Sequence, residues 1–369
     1  MRTDRIYLSG WRNYEMAAAE FDPGINVISG RNAQGKTNLL EAVYMLTGAR
    51  SFRTRFDKEL IGFDFDAGEI LADIEAAGRL QTVRILLRRG QRKTVTLNGV
   101  KKTGGELSES LKAVLFCPGD LNLIQSGAQE RRRLLDAAIS QLRPGYAALL
   151  GEYTRLYEHK SRILRDWREK PDLLDLLDDF SQSMCRVSAQ LIRYRASYCM
   201  RLAQAAADVH RDFSGGTETL GAEYRTVSTV TDPLGSLQQI TEALYAHQAA
   251  HRQAELDSMS CLTGAHKDDI FISVGGRSAR EFASQGQART AALSLKLAER
   301  EIFLAETGEY PVLLLDDVLS ELDSRRRDFV LNRIGGGQTL ITCCEDEEIS
   351  EKTGGRVLFI ENGNIRSGR

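Results

Sequence analysis

The stretch Gly30-Arg31-Asn32-Ala33-Gln34-Gly35-Lys36-Thr37, GRNAQGKT, decides how the rest of the chain is read. It satisfies every fixed position of the phosphate-binding pattern G-x-x-x-x-G-K-[ST]. Ile25-Asn26-Val27-Ile28 before it reads as a short strand, and Leu39 to Leu46 after it repeats apolar residues at helical spacing. Strand, glycine loop and helix are the context the motif requires. Glycines let backbone N–H groups close around phosphate oxygens, and the helix N-terminus adds positive potential. Lys36 is expected to reach the β- and γ-phosphates, and the Thr37 hydroxyl to ligate Mg²⁺. The stretch predicts binding of a nucleoside triphosphate.

Such a loop needs an acid on the far side of the metal. Val312 to Asp317, VLLLDD, supplies one at the end of a run apolar enough for a strand buried on both faces. Asp316 is the expected magnesium partner, and Asp317 the residue that orients the attacking water. Ser284-Gln285-Gly286-Gln287 precedes an amphipathic helix over 288–305. A serine hydroxyl and glycine N–H groups at a helix start form a second phosphate-binding surface. One phosphate does not need two such surfaces on one chain. The expectation is that this one serves a nucleotide bound by a second copy, so that ATP holds two copies together.

The chain has 369 residues, 42% hydrophobic and 27% charged, long enough for two or three domains. Its formal net charge of −2 gives no global basic field, so a nucleic-acid surface must be a local patch. No cysteine pair has C-x-x-C spacing, which argues against a zinc site or a disulfide framework and fits a cytoplasmic protein. The stretch MRTDRIYLSGW lacks the apolar run of a signal peptide, so none is expected, and no apolar run reaches membrane-spanning length.

Residues 3–29 read as two or three strands with a turn at Asp22-Pro23-Gly24. Residues 68–102 alternate apolar and polar between turns at Ala77-Gly78, Arg89-Gly90 and Asn98-Gly99, an antiparallel meander. Ala113 to Phe116 adds a strand. From Gln129 to Arg211 the pattern is helical, a hairpin or small bundle. Residues 213–231 form a short β excursion, Pro233 to Met259 are helical again, and strands return after Cys261. The expected division is 1–120 for the first half of an ATPase head, 121–260 for a helical lobe, and 261–369 for the second half of the head.

Taken together, the motifs resemble the ABC-type ATPase heads of the SMC superfamily, and more closely the RecF family of bacterial recombination mediators. The resemblance rests on Arg12-Asn13-Tyr14, on GRNAQGKTNLLEA (Gly30 to Ala42), on Ser51-Phe52-Arg53, on Phe116 to Asp136, on TGAHKDDI (Thr263 to Ile270), and on SQGQ followed by LLLDDVLSELD (Leu313 to Asp323). It covers nearly the whole chain, in order. It implies an α/β fold: an ABC-type head, with a P-loop sheet and an antiparallel β subdomain, carrying an inserted, mainly α-helical lobe. It implies ATP and Mg²⁺ as cofactors and an ATP-dependent homodimer on duplex, gapped or single-stranded DNA. Slow, DNA-stimulated hydrolysis would time release, and RecO and RecR would act as partners in loading RecA. Position by position it assigns nucleotide binding to Gly30, Arg31, Asn32, Ala33, Gln34, Gly35, Lys36, Thr37 and Asn38, metal to Thr37 and Asp316, and catalysis to Asp317 and Lys36. Ser284, Gln285, Gly286 and Gln287 would act across the dimer, and Asp323 would link the two nucleotide sites.

For DNA the candidates are Arg50, Arg53 and Arg55, with Arg131 and Arg132 at a helix start, where cations oppose the dipole. The basic hairpin Arg88, Arg89, Arg92 and Lys93 is another. Three rival readings are weaker. A transporter ATPase subunit lacks support because no transporter-like glutamine stands between Phe116 and Leu121. A small-molecule kinase has no use for SQGQ. The insertion over 121–260 is too short for the long coiled-coil arm of an SMC-type structural protein.

Overall fold

The computed structural model describes residues 1–54, 56–344 and 347–368. They form two compact units, one of Met1–Asn122 with Ala292–Arg369, the other of Leu123–Ala291. The expected break after residue 260 thus falls earlier than the one the chain makes. Residues 261–291, with the SQGQ motif, pack with the helical unit because their strands pair with a strand inside it.

The first unit opens with β1 (Arg2–Trp11), β2 (Tyr14–Glu20), β3 (Ile25–Ser29), the phosphate loop and α1 (Lys36–Met45). It continues through β4 (Ala67–Ala76), β5 (Arg79–Arg88), β6 (Thr94–Leu97), β7 (Val100–Lys102), a one-turn α2 (Gly104–Leu107) and β8 (Ala113–Phe116). The expected meander is present: β2-β1-β4-β5-β6-β7 form one antiparallel sheet. β4 alternates buried and half-buried along its whole length, one face to the core and one outward. The β4–β5 hairpin turns at Ala77-Gly78 and the β6–β7 hairpin at Asn98-Gly99, with positive φ at all four residues (50°, 66°, 50° and 78°). That backbone twist matches the twist of the flanking strands.

The second unit comprises α3 (Ala128–Leu142), α4 (Tyr146–Asp166), the 38-residue α5 (Leu177–Ser214), β9 (Leu220–Arg225), α6 (Leu237–Ser258), β10 (Asp269–Val274), β11 (Arg277–Ser278), α7 (Ala279–Phe282) and the start of α8 (Gln285–Thr307). The strands form a small antiparallel sheet, β11-β10-β9. A buried arginine ties the helices to the loop before β10: Arg195 pairs with Asp136 (2.8 Å) and Asp268 (2.9 Å) and donates to the Ala265 carbonyl (2.7 Å). Lys160 on α4 and Glu255 on α6, both fully buried, pair at 2.7 Å.

The chain returns to the first unit with the rest of α8, then β12 (Val312–Leu315), α9 (Ser324–Arg333), β13 (Thr339–Cys343), α10 (Glu347–Thr353), β14 (Arg356–Glu361) and β15 (Asn364–Ser367). A second sheet runs in the order β15-β14-β3-β13-β12-β8, parallel except for β15. VLLL of β12, an interior strand with a parallel neighbour on each side, is buried throughout. α1 is buried on almost every side, and Leu39, Leu40 and Val43 share one core with Ile6, Trp11 and Ile70 of the antiparallel sheet and with Ile28 and Leu314 of the parallel one. Beyond its polar first turn the helix is apolar except for Glu41, which is paired with Arg12, so it can sit inside the unit. That places the phosphate loop, at its N-terminus, on a rigid mount.

Candidate nucleotide-binding site

Three neighbouring parallel strands end side by side, and the site is built on their ends. β3 ends at Ser29 and leads into the loop, β13 ends at Cys343 opposite Ser29, and β12 ends at Leu315 opposite Ile341 and leads into Asp316. The crevice beyond the carboxyl ends of such strands is where open α/β sheets bind ligands.

The loop has positive φ at Gly30 (157°), Ala33 (64°) and Gly35 (119°). Gly30 must lack a side chain, since a Cβ there would lie 2.4 Å from the Ile360 carbonyl oxygen. Lys36 is almost wholly buried and folds its ammonium back over the loop, donating to the carbonyls of Gly30 (2.6 Å) and Arg31 (3.2 Å). Its Nζ also lies 3.6 Å from Cys344 Sγ, which is 3.0 Å from Asn32 Oδ1. Among the described residues α1 starts with no side-chain cap and no acid in its first turn. By contrast, α6 starts on a capping box of Ser236 and Gln239. The first N–H groups of α1 lack intrahelical acceptors, which suits them to phosphate oxygens.

Thr37 and Asp316, 279 residues apart in sequence, meet: Thr37 Oγ1 donates to Asp316 Oδ1 at 2.8 Å. Thr342 supports the acid from β13, donating to Asp316 Oδ1 (3.1 Å) and accepting from the Asp317 N–H (2.8 Å). Burial raises the Asp316 pKa, against the pull of the Thr37 and Thr342 hydrogen bonds. One hydroxyl and one carboxylate, both hard oxygen donors, fit a small divalent cation that takes its other ligands from phosphates and water. Asp317 is held in the left-handed region at φ 50°, with its carbonyl accepting from Ser320 Oγ at 2.6 Å. Strain of this kind is found where the next residues must turn sharply away from a site.

A second ring of polar side chains surrounds the loop. Asn13 Nδ2 donates to the Gln34 carbonyl (2.8 Å), Asn38 Nδ2 donates to Asn13 Oδ1 (2.7 Å), and the buried Tyr14 hydroxyl donates to the Gly35 carbonyl (2.9 Å). Arg12 grips the fully buried Glu41 of α1 with two bonds of 2.8 Å, and Ser51 donates to the same carboxylate at 2.5 Å. Arg12, Asn13 and Tyr14 therefore brace the loop and its helix. Thr342 and Glu41 were not singled out by the motifs. The available signals were the threonine that closes the strand stretch TLIT, and an acid among the apolar residues Leu39 to Met45 of α1.

In the helical unit, Ser284 and Gln287 form a capping box at the start of α8: Ser284 Oγ accepts from the Gln287 N–H (3.2 Å) and Gln287 Oε1 accepts from the Ser284 N–H (2.9 Å). Gln287 Nε2 also donates to Glu218 (2.8 Å), and Ser284 and Gln285 are exposed. Asp323 caps α9, accepting from the Arg326 N–H at 3.0 Å, and pairs with the Arg326 guanidinium. Arg326 holds the Asp323 carboxyl below its ordinary pKa. His266 accepts or donates at Nδ1 to the Tyr153 hydroxyl (2.7 Å) and meets the Cys261 carbonyl at Nε2 (3.0 Å), and burial lowers its pKa to about 4.

The DNA candidates divide. Arg50 is exposed, and Arg53 is exposed with its guanidinium on Asn38 Oδ1 (2.6 Å), beside the loop. Arg55 lies outside the described residues. Arg131 corrects the expectation. Its side chain is buried, paired twice with Asp269 (2.6 and 2.9 Å) and bonded to the carbonyls of Leu123 and Ser126, so it has no surface to offer a phosphate. Arg132 is half-buried on the Asp268 carbonyl (2.6 Å). For Arg131 the cost of a cation at a helix start is met by these bonds.

The family model "RecF/RecN/SMC N terminal domain" matches residues 3–363. The "DNA replication and repair protein RecF" of Acetivibrio thermocellus is 36% identical over 370 residues, spanning 100% of this chain and 99% of that one. The chain belongs to the RecF family. The RecF of Bacillus subtilis strain 168 is 36% identical over 96% of both chains. A solved structure described as "the recombination mediator protein RecF-ATPrS in RecFOR pathway" superposes with a TM-score of 0.92 at 32% identity, over 100% of this chain and 98% of that one. An Smc head bound to the C-terminal winged-helix domain of ScpA shares the fold, with a TM-score of 0.57 at 14% identity. The expected ABC-type ATPase head is therefore the fold of this RecF-family chain. Among the described residues no helix is long and apolar enough to cross a membrane.

Proposed function

We propose that this chain is an ATP-driven switch in bacterial recombinational repair and replication restart. The observation that carries the reading is the meeting of Lys36, Thr37 and Asp316 at adjacent strand ends, with Thr37 Oγ1 2.8 Å from Asp316. It occurs in a chain whose full-length relatives are named DNA replication and repair proteins. The loop N–H groups and Lys36 bind the β- and γ-phosphates of ATP, and Thr37 and Asp316 hold Mg²⁺. When bound, the metal neutralises charge on the transferring phosphoryl group. Asp317 orients the attacking water.

Ser284, Gln285, Gly286 and Gln287 serve the nucleotide of a second copy, and Asp323 links the two sites. A ligand shifts an equilibrium only by its differential affinity for the two states. ATP therefore favours the dimer because it touches both copies, and slow, DNA-stimulated hydrolysis releases them. DNA is held through its backbone by local basic patches that include Arg50, Arg53 and Arg55. RecO and RecR act with the chain at gapped or single-stranded DNA to promote RecA loading, as the pathway named for the related ATP complexes suggests.

The test is DNA binding by fluorescence anisotropy with duplex and gapped oligonucleotides. It is run with a slowly hydrolysed ATP analogue, with ADP and with no nucleotide, at several salt concentrations. Binding strengthened by the triphosphate and weakened steeply by salt supports the reading. Binding indifferent to the γ-phosphate removes the switch.

A further inference from the structure

The phosphate loop is gripped from outside by the last hairpin of the chain. β14 runs parallel beside β3, which places the Ile360 carbonyl against Gly30 at the start of the loop. The turn that follows, Asn362-Gly363, has positive φ at both residues (48° and 72°) and reaches the far part of the loop. The Asn362 N–H donates to Gln34 Oε1 at 2.5 Å, and the Gly363 N–H points at the Gln34 carbonyl at 3.4 Å. That carbonyl also accepts from Asn13, whose Oδ1 accepts from Asn38 at the start of α1. Gly363 is packed so closely that a Cβ would stand 2.4 Å from the Asn13 carbonyl oxygen.

The loop cannot hold this shape by local preference alone. Ala33 sits at φ 64°, where a side-chain-bearing residue is disfavoured. Lys36, moreover, is committed to loop carbonyls that it must leave to meet a phosphate. An outside brace at Gln34 supplies the missing constraint, and preorganised donors bind more tightly than donors that must be ordered first. We infer that the Asn362–Gly363 turn is a positioning element for the phosphate loop. It acts through Gln34 and Asn13, touches no phosphate itself, and sets how tightly and how long the loop retains a triphosphate. The inference rests on the nucleotide-binding reading above.

A matched pair of substitutions tests it. Asn98-Gly99 makes a turn of the same kind, with Gly99 at φ 78°, but nothing lies within 4 Å of a Cβ added there. Gly363→Ala and Gly99→Ala thus impose the same left-handed strain, and only the first drives a methyl group into Asn13. With a fluorescent ATP analogue and Mg²⁺, Gly363→Ala should raise Kd roughly tenfold and speed nucleotide dissociation. Its turnover at saturating ATP should stay within about twofold of wild type. Gly99→Ala should bind as wild type does.

Equal affinity in the two variants overturns the inference. Gln34→Ala should reproduce the loss, and the double variant Gly363→Ala/Gln34→Ala should lose no more than the larger single effect. Should Gly363→Ala fail to fold, Gln34→Ala and Asn13→Ala decide the matter by the same measurement, and wild-type affinity in both overturns it. A wild-type chain that binds no Mg²⁺-nucleotide would instead remove the nucleotide reading, which separates the two failures.

Discussion

Replacing Lys36 with arginine separates holding a phosphate from promoting its transfer. The ammonium is nearly inaccessible and lies 2.6 Å from one loop carbonyl and 3.2 Å from the next, a cradle shaped for a single point donor. Arginine keeps the charge but spreads it over a planar fork. A hydrogen bond from a charged group contributes about 1.5–3 kcal/mol. Losing one and recovering part of it elsewhere should lower ligand-free stability by about 1–2 kcal/mol. Ground-state affinity for ATP should fall by about tenfold, the equivalent of roughly 1.4 kcal/mol. The transition state demands more, because removing or misplacing one preorganised donor costs about 10²–10³ in rate. Three measurements separate these effects: urea denaturation of the ligand-free protein, titration with a fluorescent ATP analogue, and single-turnover hydrolysis. Measurable binding with hydrolysis reduced at least a hundredfold is the expected pattern. Turnover within about threefold of wild type would refute the role given to Lys36.

Asp316→Asn keeps the shape of the metal-binding acid and removes its charge. Burial raises the pKa of Asp316 in the folded chain, so stability falls as pH rises from the ordinary carboxyl value to the raised one, and the whole cost is present at pH values above both. The variant should melt at the same or a higher temperature than wild type at pH 7 without ligand, while losing Mg²⁺-dependent hydrolysis, and a clear fall in melting temperature contradicts this. Ser284→Arg breaks half of the α8 capping box, costing about 1 kcal/mol. It should leave ATP binding by a single copy intact and abolish ATP-driven association, whereas an unimpaired dimer in sedimentation would remove the role of Ser284 across the interface. His266, with its pKa lowered to about 4 from the ordinary 6.5, takes up a proton more readily when unfolded. Stability present above pH 6.5 should therefore be lost as pH falls toward 4, by about 3 kcal/mol in total. Denaturation curves of wild type and His266→Gln that shift in parallel between pH 7 and pH 4.5 would count against it.

The most legible parts of the sequence were those where local chemistry and tertiary need coincide. GRNAQGKT, the strand at Ala113–Phe116 and the VLLLDD strand end stand where the pattern put them, because a glycine loop and a doubly covered strand each demand a narrow range of residues. The alternation of β4 and the two positive-φ turns made the meander readable for the same reason. What stayed hidden depends on contacts between residues remote in sequence. Nothing local in EAVYM says that Glu41 will be sealed under Arg12, or that Asn362 will reach Gln34. Arg131 misled because its partner, Asp269, lies 138 residues away. The break at residue 291 was missed because β10 looks, by itself, like any strand of a head, and only its pairing with β9 assigns it to the helical unit. β15 and α10 are short, and short elements rely on neighbours more than on their own propensity.

The central claim is that a triphosphate completes its cage only when two copies close on it. Sedimentation velocity of the full chain with Mg²⁺ addresses it directly, comparing a slowly hydrolysed ATP analogue, ADP and no nucleotide. The account predicts dimer with the triphosphate analogue alone, and monomer with ADP or without nucleotide. A chain that stays monomeric while saturated with the analogue, or that dimerises equally with ADP, would contradict it.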